Sequence, residues 1–430
     1  MKARQWKTIL CLFAFFVLFR APPALPKEPI ALTFMTWKPN IPQAWEGLIK
    51  RFEAQNPDIR IQRQVGPHSS TQFHAILSQR LKNRDPSVDV FFMDVIWPPE
   101  FASAGWALEL RSRFTAAEQR DFLPAPIAAN TYGEGIYGVP SFLDAGLLYF
   151  RKDLIEKYGF DPPGTWEEML FQGQTILKGE HDATLHLYSA QFKQYEGLVC
   201  DMLEFIWSNG GGVLNVQTGE VLLDEPAAVE AVAFVRDRII DKAAPRGVLN
   251  YEEPESLTLF VQGKAVFHRN WPYAWTLAND PHGSKVAGKV GVGSLPSFQG
   301  HPPASALGGW QFGINRFSKH PDEAWRFIRF MTSYESQKAL AFEAGRAPTR
   351  RAVYEDPDLR IRMPHLTAFL PAFEAARPRP LSPIYPMISQ ELQRFFSRAI
   401  SQRGSDLPAL ARETASMIEK FVQLGARVKP

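Results

Sequence analysis

From Ile30 onward the apolar positions switch between two periods. Ile30 to Met35 is a short, mostly apolar run that predicts a strand. Trp45, Leu48, Ile49 and Phe52 then recur at i, i+3, i+4, i+7, one face of a helix. Pro42 stands near its start, where a missing N–H costs nothing, and Asn56-Pro57 stops it. Ile59, Ile61 and Val65 alternate as a second strand, and Phe73 to Leu81 reads as a second helix. Asp89 to Asp94 is a buried strand that ends in a carboxylate. The order βαβαβ predicts an α/β fold with a mostly parallel sheet flanked by helices.

The alternation recurs. Gly146 to Phe150 predicts a strand, followed by a short helix capped by Asp153. Thr165-x-x-Glu168 is a capping box that opens a longer helix. Asp224 and Pro226 start a helix, and Ala265 to His268 is a strand running into Asn270-Trp271-Pro272-Tyr273. Asn279 to Pro303 is rich in Gly and Pro and predicts loops with one strand, Val290 to Val292. Pro321 opens a helix carrying Ala324, Phe327, Ile328 and Met331, and Leu410 to Leu424 predicts a terminal helix. Four prolines between Arg377 and Pro386 fit an extended segment.

The N-terminus follows a different rule. Lys2, Arg4 and Lys7 precede an unbroken apolar run of 11 residues, Ile9 to Phe19, closed by Arg20. A bilayer-spanning helix needs roughly 20, so residues 1–26 predict an export signal, with a retained anchor as the alternative. With the signal removed, Cys200 is the only cysteine left, since the other is Cys11. That excludes a disulfide framework and a thiolate-rich metal site.

Charge excludes one more class. Forty-eight basic and 45 acidic side chains leave a net +3 in 430 residues, which argues against nucleic-acid binding through bulk positive charge. The 45% hydrophobic content supplies ample apolar surface for a core. Catalytic motifs are absent or fail in context. Gly133-x-Gly135-x-x-Gly138 fits a dinucleotide pattern, but Pro140 follows at once and no helix opens, so it predicts a tight turn. The histidines are scattered and no G-x-S-x-G occurs.

What remains is a set of acids and rings near strand ends. In open α/β sheets, ligands sit beyond the carboxyl ends of strands. Asp94 ends its strand, Asp144 follows Val139-Pro140, Trp271 and Tyr273 follow the Ala265 to His268 strand, and Gly308-Gly309-Trp310 precedes Phe312 to Ile314. Carboxylates suit sugar hydroxyls, and indole faces suit the flat C–H faces of a sugar ring. Any one of these rings fits a core as well. Several Trp beside Gly or Pro tilt the group toward a pocket.

These segments resemble the extracellular solute-binding proteins that serve sugar ABC transporters, above all the trehalose/maltose-binding branch. The motifs are Asp89-Val-Phe-Phe-Met-Asp-Val95, Asp144-Ala-Gly-Leu-Leu-Tyr-Phe-Arg-Lys-Asp153, Gln194-Tyr-Glu-Gly-Leu-Val-Cys-Asp201, Ser208-Asn-Gly-Gly211, Arg269-Asn-Trp-Pro-Tyr-Ala-Trp275, Leu307-Gly-Gly-Trp310 and Arg377-Pro-Arg-Pro380. They occur in order over nearly the whole mature chain.

The resemblance implies a two-lobed periplasmic-binding-protein fold, with residues 27–140 and about 279–330 in one lobe and 141–278 and about 331–430 in the other. It implies a disaccharide such as trehalose or maltose in the cleft, contacted by Asp94, Asp144, Trp271, Tyr273, Gly309, Trp310 and Arg379. It implies no catalysis, cofactor or metal, and a monomer, exported to the periplasm or tethered outside the cytoplasmic membrane, that partners membrane permease subunits. A secreted glycoside-processing enzyme and a sugar sensor partnering a membrane receptor are the competing readings. The chain departs from the pattern at Ile41, Phe73 and Phe142, where relatives carry an acid, an Arg and a Tyr. Each change removes a polar partner, so a different or less hydroxyl-rich ligand is expected at one subsite.

Overall fold

The computed structural model describes residues 28–374 and 376–427. The signal segment 1–26 lies outside the described residues. The strands in chain order are β1 (Ile30–Thr36), β2 (Ile59–Val65), β3 (Val90–Asp94), the hairpin β4 (Thr131–Tyr132) and β5 (Gly135–Ile136), and β6 (Val139–Ala145). They continue as β7 (Leu147–Arg151), β8 (His186–Ser189), β9 (Ala265–Asn270), β10 (Val290–Gly293), β11 (Leu307–Ile314) and β12 (Ala347–Pro348). The glycine pattern at 133–138 is thus the turn of a hairpin, as its following proline predicts.

Two sheets define two lobes. The first is six-stranded, in the order β12-β6-β11-β3-β1-β2. Strand β1 pairs in parallel with β2 and β3, while β11 runs antiparallel between β3 and β6. So β1, β2, β3 and β6 point one way. The second sheet has the order β10-β7-β9-β8, with β8 and β9 parallel and β7 opposed to both its neighbours. Strand β7 shows how the sheet is buried on both faces. Leu147 and Tyr149 join the larger apolar core, and the alternate Leu148 and Phe150 join the second.

The helices start and stop for local reasons. Ser69 accepts from the Gln72 N–H at the start of Ser70–Lys82, and Thr165 and Glu168 form both halves of the predicted capping box. Asp153 does not cap its helix. Arg151 grips it at 2.7 and 2.6 Å, and the helix Lys152–Lys157 begins without a side-chain cap.

The chain crosses between lobes three times, and the crossings lie side by side. The first is Gly146, between β6 and β7. A Cβ there would lie 2.0 Å from Glu204 Oε1, so only glycine fits. The second is the stretch before β11, where the Ser305 hydroxyl donates to the Gly146 carbonyl at 2.8 Å. The third enters at Arg377, which exchanges backbone bonds with Ser305 and Leu307 at 2.9 and 2.8 Å. The lobe boundaries differ from those expected. Strand β10 pairs with β7, so residues 290–293 belong to the second lobe rather than the first. Strand β12 pairs with β6, and Leu340, Leu359 and Phe373 pack in the first lobe's core, so this stretch belongs to the first lobe rather than the second. Strand pairing across more than a hundred residues leaves no mark in local composition.

Candidate functional site

The sheet registers bring the predicted residues together. Across the antiparallel β3–β11 pair Asp94 faces Trp310, and across β6–β11 Asp144 faces Gly308. Both acids therefore sit at the same end of the first sheet, flanking the two glycines. Gly308 to Trp310 was expected ahead of the strand but lies inside it, with an irregularity in register after Trp310. Gly309 has φ +119°, and a Cβ there would meet the Phe142 carbonyl at 2.4 Å. No side chain is possible at this point of the wall. From the second lobe, Trp271 and Tyr273 follow the end of β9, and Arg379 enters from the third crossover. All seven predicted residues line one cavity of about 590 Å³, counted out to its open mouth.

The cavity wall is charged and incompletely paired. Arg379 is 2% exposed and ties the lobes together. Its Nη2 donates to Asp94 at 2.8 Å in the first lobe, and its Nη1 donates to Glu196 at 2.7 Å in the second. The guanidinium fork is thus occupied by carboxylates, and the donor left over is Nε, which has no partner. Burial raises the Asp94 carboxyl above its ordinary range, against the pull of Arg379. Asp144 has less help. Burial pushes it up to about 7, and its nearest cation, Arg346, stands 3.9 Å away. Asp144 Oδ1, Arg346 Nε, and the hydroxyls of Tyr195 and Tyr273 also lack partners. His68 Nδ1 is unpaired as well. Leaving a buried polar group unpaired costs about 1–3 kcal/mol, so six around one cavity mark a place that expects a hydrogen-bonding guest.

The rings are held in fixed attitudes. Trp37 and Trp310 stack with centroids 4.3 Å apart and planes 8° from parallel. Trp271 rests on the Arg269 guanidinium at 3.9 Å, and its indole N–H donates to Glu253 at 3.1 Å. Arg269 is itself locked by Glu204 and Gln191. Arg346 is cushioned by the Phe142 and Tyr273 rings at 4.5 and 4.9 Å. Fixed apolar faces next to unpaired donors and acceptors suit a compact molecule rich in hydroxyls.

Sequence reading missed Trp37, Asn40, His68, Tyr195, Glu196, Glu253 and Arg346, which share the wall. The strand-end rule that selects Asp94 also selects Trp37 and Asn40, which follow β1. Tyr195 and Glu196 lie inside a quoted motif. Arg346 has no local signal beyond the left-handed Gly345 that ends the preceding helix. The three departures do not reach the wall. Phe73 backs Trp310, with ring centroids 6.0 Å apart, Phe142 lies under Arg346, and Ile41 caps the helix that follows β1. The expected loss of a polar contact at these positions is therefore a change behind the cavity.

Residues 38–338 match the family described as bacterial extracellular solute-binding protein. A probable ABC transporter-binding protein of Deinococcus radiodurans is 36% identical over 350 residues, 80% of this chain and 82% of its own. The chain belongs to the bacterial extracellular solute-binding proteins. Among solved structures, this solute-binding protein is similar to maltose-bound MalE3 of T. maritima, with TM-score 0.87 and 38% identity over 91% of this chain and 100% of that one. A solute-binding protein from Agrobacterium radiobacter in complex with ribitol shares the fold, with TM-score 0.82 at 22% identity over 92% and 99% of the two chains. The two-lobed architecture is that of the family, whose members bind substrates rather than transform them. Among the described residues, no cluster of metal-ligating side chains occurs and no helix is long and apolar enough to cross a membrane.

Proposed function

We propose that this protein is the carbohydrate-binding subunit of an ABC importer, holding a disaccharide of the maltose or trehalose type between its lobes. The observation that carries the reading is the set of six unpaired buried groups around one interlobe cavity walled by stacked indoles. The 38% identity to a maltose-bound protein supports the sugar class. Asp94, Asp144 and Glu196 accept from hydroxyls. Arg346 and Arg379 donate through Nε, Trp310 and Trp271 offer ring faces, and the Gly309 backbone admits close approach.

The mechanism is closure. A guest that touches both lobes gains its full contacts only when they meet, so it favours the closed state by its differential affinity. The closed form is then what permease subunits read, outside the cytoplasmic membrane, with the protein acting as a monomer. Nucleotide hydrolysis belongs to a separate ATPase subunit.

A thermal-shift and calorimetric panel of maltose, trehalose, mannitol, glucose and glycine tests this. A ligand that binds only the folded state raises the melting temperature by mass action. Maltose or trehalose is expected to raise it most, with no sugar hydrolysed on overnight incubation. Silence across the sugars, or release of glucose, overturns the reading.

A further inference from the structure

The two lobes also meet at a histidine that the ligand contacts do not need. His68 follows β2 in the first lobe and lines the cavity beside Asn40. Its Nε2 lies 3.0 Å from Asn40 Oδ1, in the same lobe. Its Nδ1 points the other way and stands 3.7 Å from Glu252 Oε2, in the second lobe. That nitrogen is buried and has no hydrogen-bond partner. The geometry sets the tautomer, because Asn40 Oδ1 can only accept and Nε2 must donate to it. In the neutral ring Nδ1 then carries a lone pair, and that lone pair faces a carboxylate. Adding a proton turns the repulsion into an N–H aimed at Glu252.

We propose that His68 is a positioning residue for lobe closure: its protonated ring bridges to Glu252 across the mouth of the cleft, so that the protein clamps its guest more tightly as pH falls through neutrality. The inference rests on reading the cavity as a clamp for a guest. The carboxylates that face the ring come from the second lobe. Glu252 is the direct partner, Glu253 and Glu255 stand behind it, and Lys193 holds the far oxygen of Glu252 at 2.7 Å. Lys193 fixes the carboxylate without cancelling the acidic surroundings. The net effect on His68 follows. Burial disfavours the charged ring, but the close Glu252 carboxylate and the field of Glu253 and Glu255 outweigh it and raise the imidazole above its ordinary value. Glu252 moves the opposite way, lowered first by His68 and then by Lys193.

The sign is fixed by these directions. A raised histidine contributes its full stabilisation of the closed form below the ordinary value of about 6.5, and loses it as pH climbs through the raised one. Glu252 stays ionised well below that range. The contact is therefore strongest in mildly acidic solution and fades on the alkaline side of neutral. A mostly buried charge contact of this kind, at 3.7 Å, changes affinity by about three- to tenfold.

The test uses the full mature chain with maltose as probe. Imidazole resonances of His68, assigned by loss in His68→Gln, are followed from pH 5 to 9 with and without saturating maltose. The midpoint is expected above an ordinary histidine in the maltose-bound protein, and back toward it in Glu252→Gln. Calorimetry at pH 6 and 8.5 is expected to show maltose binding about three- to tenfold weaker at the higher pH in wild type. That ratio should shrink in His68→Gln, which keeps a donor for Asn40. Asp144 titrates in the same range in both proteins, so the difference between the two profiles is the readout. An ordinary His68 midpoint with and without maltose, or superimposable profiles, overturns the proposal. If maltose binds neither protein at any pH, the sugar reading fails on its own. The sugar-free midpoint then decides, raised in support or ordinary against.

Discussion

Two buried arginine clusters beside one cavity, Arg346 in its wall and Arg269 behind Trp271, are built on opposite plans. Arg269 is 1% exposed and its guanidinium is saturated. Glu204 takes two bonds at 2.6 and 2.8 Å, Gln191 takes a third at 3.0 Å, and Asp201 lies 3.1 Å from Nε. Arg346, 4% exposed, makes no hydrogen bond to the protein through Nε and reaches its nearest carboxylate only at 3.9 Å. Burial is equal, so burial does not distinguish structure from function here. The state of pairing does. With each of its nitrogens engaged, Arg269 works as a scaffold, holding Trp271 from behind. An unsaturated cluster keeps donors and acceptors aimed at the space between the lobes. Arg379 is intermediate, with its fork spent on Asp94 and Glu196 and one N–H to spare.

This contrast predicts opposite outcomes for like substitutions. Arg269→Ala leaves Glu204 and Asp201 buried without their cation, a loss of about 3–5 kcal/mol of stability. Arg346→Leu at pH 6 removes a poorly paired charge, and its stability is expected within about 1 kcal/mol of wild type while sugar binding collapses. Urea denaturation and calorimetry on both variants check this. Equal destabilisation by the two would erase the distinction.

Asp144→Asn sharpens it. The sugar-free protein holds a proton on Asp144 up to about 7, where the unfolded chain releases it near its ordinary value of 3.8. The folded form is therefore penalised progressively as pH rises from about 4 to 7, by roughly 4 kcal/mol in all. Asn in this place removes that slope, so the variant gains stability relative to wild type at pH 8 and little at pH 4. It also loses a hydrogen-bond acceptor, and a drop in sugar affinity of about tenfold or more is expected. Denaturation midpoints at the two pH values, with calorimetry at pH 8, read both effects.

The smallest effect is expected behind the wall. Phe142→Tyr restores the residue that the resemblance places there, but the ring lies beneath Arg346 and not against the guest. A change in sugar affinity of less than about fivefold is expected by calorimetry, since the substitution acts only through the arginine's seat. A change of fifty-fold would make Phe142 part of the contact surface and blur the boundary between wall and support.

The amino-acid pattern by itself determined many of the elements and where several helices begin, but not the helices Glu196–Trp207 and Tyr385–Ser401. Pro42, Thr165 and Pro321 sit where their helices begin, because capping and φ restrictions act over four residues. It also placed acids and aromatic rings near strand ends, and these, together with Arg379, which the family resemblance supplied, line one cavity. Only the tertiary structure decided which lobe owns β10 and β12, since their partners lie far off along the chain. It alone also decided which polar groups stay unpaired. Asp144 and Glu204 are both carboxylates in apolar surroundings, and nothing in their neighbours along the chain shows that one is fully engaged and the other is not. Whether a buried charge is satisfied depends on atoms brought to within three ångströms from remote segments, and the unpaired groups of the cavity are what that pairing leaves over.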